Sequence, residues 1–463
     1  MEKKEQYLGT EPIGKLLFQL AIPAVFAQLI NLLYSIVDRI YIGRIPGVGA
    51  TALTGIGITS PVLMLISAFA ALVGLGGAPR ASILLGKNQK VSAEETLGNC
   101  VTLILLFSVT LTILFYCYAE EMLWLFGASN ETLPYALAYV QVYTMGTIFV
   151  QIVLGLNPFI TAQGFTKVSM ITVMVGAIIN IILDPIFIFV LDFGVKGAAL
   201  ATIIAQCVSA VWVLLFLTGK KTLIRIQKKN LPLKSTVILS ILGLGVSPFI
   251  MQTTESLLSI AFNTSLLKYG DDLAVGAMTI IVSAMQVASL PLSGITQGMQ
   301  PILGFNYGAG HIHRMKHIVR LTAIVVTTIT TLYWTLNMVY PEFFVKLFTD
   351  DLELIEYTAW AIRIYMGVYC IYSGQIVCQQ SLIALGNVKT SLFLAVLRKI
   401  ILLIPSIYIL PLFFEDKVFA VFLAEPVSDF IAVCTTVTLF TIQFRKTIQK
   451  MEREQKEKEL MGN

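Results

Sequence analysis

The sequence predicts an all-α membrane protein of twelve transmembrane helices in two pseudo-symmetric six-helix bundles. Three observations carry the prediction: the composition, a succession of long apolar segments, and a repeat between the halves. Of 463 residues, 56% are hydrophobic and 13% are charged, whereas soluble domains have about 25% charged residues. A chain with so few charges would expose a largely apolar surface to water, so most of its helices are expected to face lipid.

Twelve apolar segments, separated by charged or Pro/Gly-rich breaks, are long enough to cross a bilayer, which takes about 20 residues. We predict them near residues 14–42, 51–79, 96–118, 134–161, 168–190, 196–218, 236–267, 273–302, 317–340, 354–385, 390–412 and 418–444. The longest charged gap lies between the sixth and seventh segments and is expected to join the halves.

The predicted organisation follows from these breaks: an N-terminal six-helix lobe (1–218), a cytoplasmic linker (219–235), a C-terminal six-helix lobe (236–445) and a charged cytoplasmic tail (446–463). Lys and Arg are concentrated in the two tails and the even-numbered loops. The positive-inside rule therefore predicts that both termini are cytoplasmic.

The two halves are related by a shift of about 222 to 225 residues. This shift aligns AIPAVFAQ, from Ala21, with VSPFIMQT, from Val246, and Gly164 with Gly386. Because each half has an even number of spans, the duplication is predicted to be parallel. Paired bundles of this kind are typical of secondary transporters, which alternate access to a central site.

Other classes of protein lack support in the sequence. The string TGKKT at 218–222 lacks the upstream glycine and the Ser or Thr of a phosphate-binding loop. No catalytic constellation is visible, and the basic residues do not form a nucleic-acid-binding domain. The histidines of HIHRMKH at 311–317 could bind a metal, but next to Arg314 and Lys316 they favour a basic solvated loop. We therefore expect neither an enzyme nor an ATP-driven pump, with no cofactor besides a coupling ion.

Acidic residues inside the predicted spans are the candidates for ion coupling, because charges are costly in hydrocarbon. Asp184 follows Asn180 by four residues, so both side chains share one helix face. Pro185 removes a backbone donor and frees a carbonyl nearby. Asp38 lies towards the outer end of the first span beside Arg39, which leaves an interfacial role as the alternative. The repeat aligns Asp38 with Asn263, so only the first half has the charged residue. This asymmetry predicts an ion site in the N-terminal half.

Three acidic residues of the second half have alternative roles. Glu255 is predicted to bind a cationic substrate or a second ion, or to pair with Arg398 or Lys399 of the eleventh span. The role of Glu425 and Asp429, one turn apart, stays open between transport and neutralisation of the same basic residues.

The strings NIILDPIFIF, GVKGAALATIIAQ, ITAQGFTKVS and PILGFNYGAGH resemble those of the MATE (multidrug and toxic compound extrusion) family, over about residues 10 to 445. Within it, the chain is most similar to the DinF-like branch of bacterial multidrug exporters. The resemblance implies antiport of H⁺ or Na⁺ against organic cations.

The same resemblance implies roles for individual residues. It assigns the ion cluster to Asp38, Asn180 and Asp184, with Asn157 and Thr202 as polar partners. Glu255 resembles a seventh-helix glutamate of the NorM branch, whose tenth-helix aspartate has no counterpart here, so the N-lobe site is favoured.

We therefore expect a cation-coupled antiporter that exports organic cations and drugs by alternating access. It is expected to be a monomer in the lipid of the plasma membrane, without a nucleic-acid partner. The alternative is a flippase for a lipid-linked sugar, which would need basic residues in its cavity. Only Arg363, Arg398 and Lys399 lie well inside predicted spans.

Overall fold

The computed structural model describes residues 7–461, and their side chains except at 256, 272, 458 and 461. The first six residues of the predicted N-terminal lobe and the last two of the predicted tail lie outside this range. Within it, ten helices are long and apolar enough to cross a membrane, and two bent helix pairs raise the number to twelve if each pair is one span. The predicted all-helical fold with twelve spans is confirmed.

The first six spans are α1 (Ile13–Gly43), α2 (Gly49–Gly86), α3 (Lys90–Cys117), α4 (Leu133–Met145 and Thr147–Ala162), α5 (Thr166–Pro185, continued by a π-helical turn Ile186–Val190) and α6 (Gly194–Thr218). The second six are α7 (Ser235–Tyr269), α8 (Asp272–Gly308), α9 (Ile312–Val339), α10 (Leu352–Tyr365 and Tyr372–Ala384), α11 (Val388–Val396, a π-helical Leu397–Leu403 and Ile404–Ile409) and α12 (Lys417–Met461). Short helices at Tyr7–Thr10, Ala119–Leu125 and Pro341–Val345 lie between spans or before them.

Two predicted spans are bent. The two parts of α4 meet at 60° around Gly146, and those of α10 meet at 49°. The turns after these spans both contain a glycine with positive φ, Gly164 at 84° and Gly386 at 75°, which is strained for other residues. The repeat predicted from the sequence therefore has a counterpart in the backbone of both halves.

The chain divides into two compact units. The N-terminal unit contains Gln19–Thr253, and the C-terminal unit contains Leu8–Phe18 together with the residues from Thr254 onward. The divisions lie inside α1 and α7. The lobe boundaries predicted at the charged linker stay a prediction about the membrane bundles.

The linker 219–234 packs on the N-terminal unit by specific hydrogen bonds. The side-chain oxygen of Gln163 accepts from the backbone N–H groups of Leu223, at 2.7 Å, and Ile224, at 3.1 Å. The Glu94 carboxylate accepts from the side chain of Gln227 at 2.8 Å. Because buried donors of an irregular segment need partners, these polar side chains fix the path of the linker.

The C-terminal unit includes both the segment Leu8–Phe18 and the charged end of α12. Arg314 donates to the carbonyl oxygen of Glu11 at 2.7 Å. Gln455 donates to the carbonyl oxygen of Gly310 at 2.8 Å. Residues 446–461 of the predicted tail continue α12 as a helix. The bond of Gln455 places this part of α12 against the turn between α8 and α9.

Candidate ion-binding site

The centre of the candidate site lies on α5. Asn180 and Asp184 are on one face of this helix and are buried, with 2% and 0% of their surfaces exposed. The Asn180 side-chain nitrogen donates to Asp184 Oδ1 at 3.1 Å and to Thr202 Oγ1, on α6, at 3.3 Å. The structure thus brings together three of the residues singled out in the sequence.

Asp38 joins this group from α1. It lies close enough to Asp184 for the two carboxylates to interact electrostatically. Tyr34, one turn before Asp38, lies near both of them. Tyr139, on α4, lies beside Thr202 and near Asp38. Four spans of the N-terminal unit therefore contribute side chains to one cluster, which we call the N-unit site: Tyr34, Asp38, Tyr139, Asn180, Asp184 and Thr202.

Sequence reasoning missed the two tyrosines. Tyr34 lies four residues before Asp38, so the helical spacing indicated a shared face. Tyr139 is about a hundred residues from Asp38 along the chain, and no local pattern relates it to the acidic residues. It reaches the site because α4 packs against α6.

Three side-chain oxygens of the N-unit site lack hydrogen-bond donors. Asp38 Oδ1, Asp184 Oδ2 and Asn180 Oδ1 are buried without a hydrogen-bond partner among the described residues. An unsatisfied buried acceptor costs about 1–3 kcal/mol, and more when it is charged. Two carboxylates and an amide oxygen in this state form a site of negative charge that a proton or a small hard cation would stabilise.

Asn157 lies apart from this cluster. It is on α4, and its side-chain nitrogen donates to the carbonyl oxygen of Ser169 at 3.4 Å. From Ser169 to Asn180, α5 rises by about 16 Å. The structure therefore does not bring Asn157 next to Asp184, and its role in ion coupling stays a prediction.

The three acidic candidates of the C-terminal unit have basic partners. Glu255 pairs with Lys399. Arg398 donates from Nε to Asp429 at 2.7 Å and from Nη2 to Glu425 at 3.0 Å. Of the alternatives that the sequence left open, pairing with these two basic residues is the one that the geometry shows.

A π-helical segment positions the two basic residues. Arg398 and Lys399 are consecutive, yet both are buried. They lie in the π-helical part of α11, where the extra residue per turn changes the directions of the side chains. In the N-terminal unit, the π-helical turn of α5 begins after Pro185, where the missing N–H interrupts the α-helical ladder.

The profile of the MatE family matches residues 23–186 and 248–409. The chain belongs to the MatE family. The two matched segments begin at Pro23 and Pro248, at the spacing of the predicted repeat, and each covers most of the first five spans of its half. The predicted family is confirmed, and with it the prediction of a multidrug efflux transporter rather than an enzyme.

Curated relatives have similar lengths. The chain is 24% identical over 458 residues to the multidrug export protein MepA of Staphylococcus haemolyticus, covering 97% of this chain and 98% of that protein. It is 24% identical over 459 residues to MepA of Staphylococcus aureus strain NCTC 8325, covering 97% and 99%. The transporter is therefore similar to these proteins along its whole length.

Solved structures show the same fold. A crystal structure of MATE in the bent conformation superposes with a TM-score of 0.90 at 21% identity, covering 97% of this chain and 99% of the other. An outward-facing multidrug resistance MATE family transporter of the MOP superfamily gives a TM-score of 0.89 at 21% identity, covering 96% and 98%.

Proposed function

We propose that the transporter is an antiporter that couples the entry of H⁺ or Na⁺ to the export of organic cations and drugs by alternating access. The observation that carries the proposal is the N-unit site, where Asp38, Asn180 and Asp184 hold buried oxygens without donors. A cation from outside would supply the missing positive charge. We place the transporter in the plasma membrane as a monomer, with both termini cytoplasmic.

The proposed coupling is electrostatic. Without a bound cation, the carboxylates of Asp38 and Asp184 repel each other. Binding of one cation removes this repulsion and lets α1 and α5 approach. Pro23 in α1 and Pro185 in α5 interrupt the helical hydrogen bonds, so both helices are able to bend at defined points. The bend would change which side of the membrane has access to the drug.

The drug class is proposed from the relatives, which are named multidrug export proteins, and from the acidic residues. Glu255 is 54% exposed at its side chain although its partner Lys399 is buried. We propose that Glu255 accepts a cationic group of the substrate, or a second ion, in exchange for Lys399.

A flippase for a lipid-linked sugar is the weaker alternative. It would need free cations for a pyrophosphate group, and Arg398 and Lys399 are engaged by carboxylates. Arg363 is exposed and donates to the carbonyl oxygen of Met338 at 3.4 Å. The basic residues of the spans thus support an exporter of cations.

The test is ethidium efflux from proteoliposomes that carry either a pH gradient alone or a Na⁺ gradient alone. One gradient is expected to drive efflux, and Asp184→Asn is expected to abolish it. Asp192→Asn is the matched control, because Asp192 is an exposed acid just beyond α5 with a φ of 53° that Asn adopts readily. Undiminished efflux in Asp184→Asn would refute the proposal.

A further inference from the structure

The C-terminal unit contains a second buried group of charges, separate from the N-unit site. We call it the C-unit cluster: Glu255, Arg398, Lys399, Glu425 and Asp429. Four of its members are at most 9% exposed, and Glu255 is the exception. Charges this deep in an apolar bundle are costly unless they are paired, so the balance within the cluster matters.

The ion pairs of the cluster account for most of its charge. The guanidinium of Arg398 is shared between Asp429 and Glu425. The same guanidinium lies over the ring of Tyr372, 4.7 Å from the centroid, a cation–π contact that further holds it in place. Lys399 pairs with Glu255.

The charges do not cancel. Three carboxylates face two cations, so the fully ionised cluster has one negative charge in excess. One carboxylate oxygen of the cluster, Glu425 Oε2, is buried without a hydrogen-bond partner among the described residues. Ser428 Oγ, one turn along α12, is in the same state. A buried carboxylate oxygen without a donor is strongly destabilising.

No other cation compensates Glu425 in the described part of the chain. The charged groups that act on it are Asp429 of its own helix, Arg398 and Lys399 of α11, and Glu255 of α7. The titratable groups facing it from α10 are Tyr365 and Tyr372, which are neutral when protonated. Among the described residues, Glu425 Oε2 is therefore left without a donor.

We propose that the C-unit cluster is a second proton-binding site, and that Glu425 Oε2 takes up one proton from water to form a neutral carboxylic acid. A metal ion fits poorly, because the Arg398 guanidinium is bonded to the same carboxylate at 3.0 Å. Hard cations also need several oxygen ligands. The new O–H group has Ser428 Oγ as a candidate acceptor, and the Arg398 guanidinium keeps Asp429 as its anionic partner.

The test follows protonation directly, without transport. Infrared difference spectra record the C=O stretch of protonated carboxyl groups in the purified transporter near neutral pH, where exposed carboxylates are ionised. The background is the double variant Asp38→Asn/Asp184→Asn, which removes the carboxylates of the N-unit site. We expect one carboxylic acid band to remain, and to disappear when Glu425→Gln is added.

The matched control is Glu342→Gln, which removes an exposed acid paired with Lys346 and is expected to leave the band unchanged. Lys399→Met tests which carboxyl holds the proton: it releases Glu255, whose side chain is 54% exposed and stays ionised, so the band should keep its intensity. If Glu425→Gln did not fold, Glu425→Asp would replace it, with a shifted band expected.

Two results would overturn the proposal: no carboxylic acid band in the double variant, or a band that persists in Glu425→Gln. Neither result depends on efflux. Failure of the antiport proposal and failure of this one are therefore distinguishable.

Discussion

The two units place acidic residues in their interiors under opposite conditions. In the N-unit site, Asp184 accepts from the amide of Asn180, the phenols of Tyr34 and Tyr139 lie near Asp38, and the cation that acts on Asp38 is its neighbour Arg39. In the C-unit cluster, Arg398 and Lys399 are bonded to carboxylates. A buried acid therefore acts as an ion site to the extent that it lacks counter-charge, more so in the N-unit site than in the C-unit cluster, where one oxygen, Glu425 Oε2, lacks a donor. What decides is whether the protein supplies the counter-charge.

The largest expected effect tests the counter-charge of the C-unit cluster. Arg398→Met leaves Glu425 and Asp429 buried without a partner, so it should lower the free energy of unfolding by about 3–5 kcal/mol. Thermal unfolding of the purified protein measures this. Arg363→Met, at an exposed site, is the control, with a loss of less than about 1 kcal/mol expected. Equal melting temperatures of Arg398→Met and the native chain would show that Arg398 is not the counter-charge that stabilises the cluster.

In the N-unit site, removal of a charge should stabilise the protein rather than destabilise it. Asp184→Asn replaces a buried carboxylate that has no cationic partner by a neutral group of the same shape, so the free energy of unfolding should rise, by up to about 1 kcal/mol. The same thermal assay applies, with Asp192→Asn as the unchanged control. A drop of several kcal/mol would mean that Asp184 stabilises the fold through a partner.

A smaller effect concerns the hydroxyl that orients Asn180. Thr202→Val removes the acceptor that lies 3.3 Å from the Asn180 nitrogen. Its loss should weaken binding of the driving ion by about 1 kcal/mol, which raises the apparent KM for that ion about fivefold. Thr218→Val is the control, since Thr218 is exposed and bonds only its own helix. An unaltered ion dependence in Thr202→Val would exclude Thr202 from the site.

The smallest effect concerns Asn157, which the structure places apart from Asp184. Asn157→Ala should change the apparent KM for the ion by less than about twofold, because it loses one weak bond to Ser169. Asn180→Ala serves as the positive comparison in the same efflux assay. An equal loss in both variants would place Asn157 within the ion path, as the family resemblance implies.

Much of the candidate site was predictable because its signals are local. The spacing of Asn180 and Asp184 on one helix gave their contact, and the repeat showed that Asp38 has a neutral counterpart in Asn263. The pairing of Glu255 with Lys399 was only one of several alternatives. These residues are 144 positions apart, and helix packing alone brings them together.

By itself, the sequence determined the number of spans, the duplication and the presence of acids in the membrane, because segment length, hydrophobicity and repeat spacing are properties of the chain. Only the tertiary structure decided which acids are neutralised, that Tyr139 joins Asp38, and where α4 and α10 bend. Each of these depends on contacts between helices distant in sequence, and the energy of a buried charge depends on its neighbours in space.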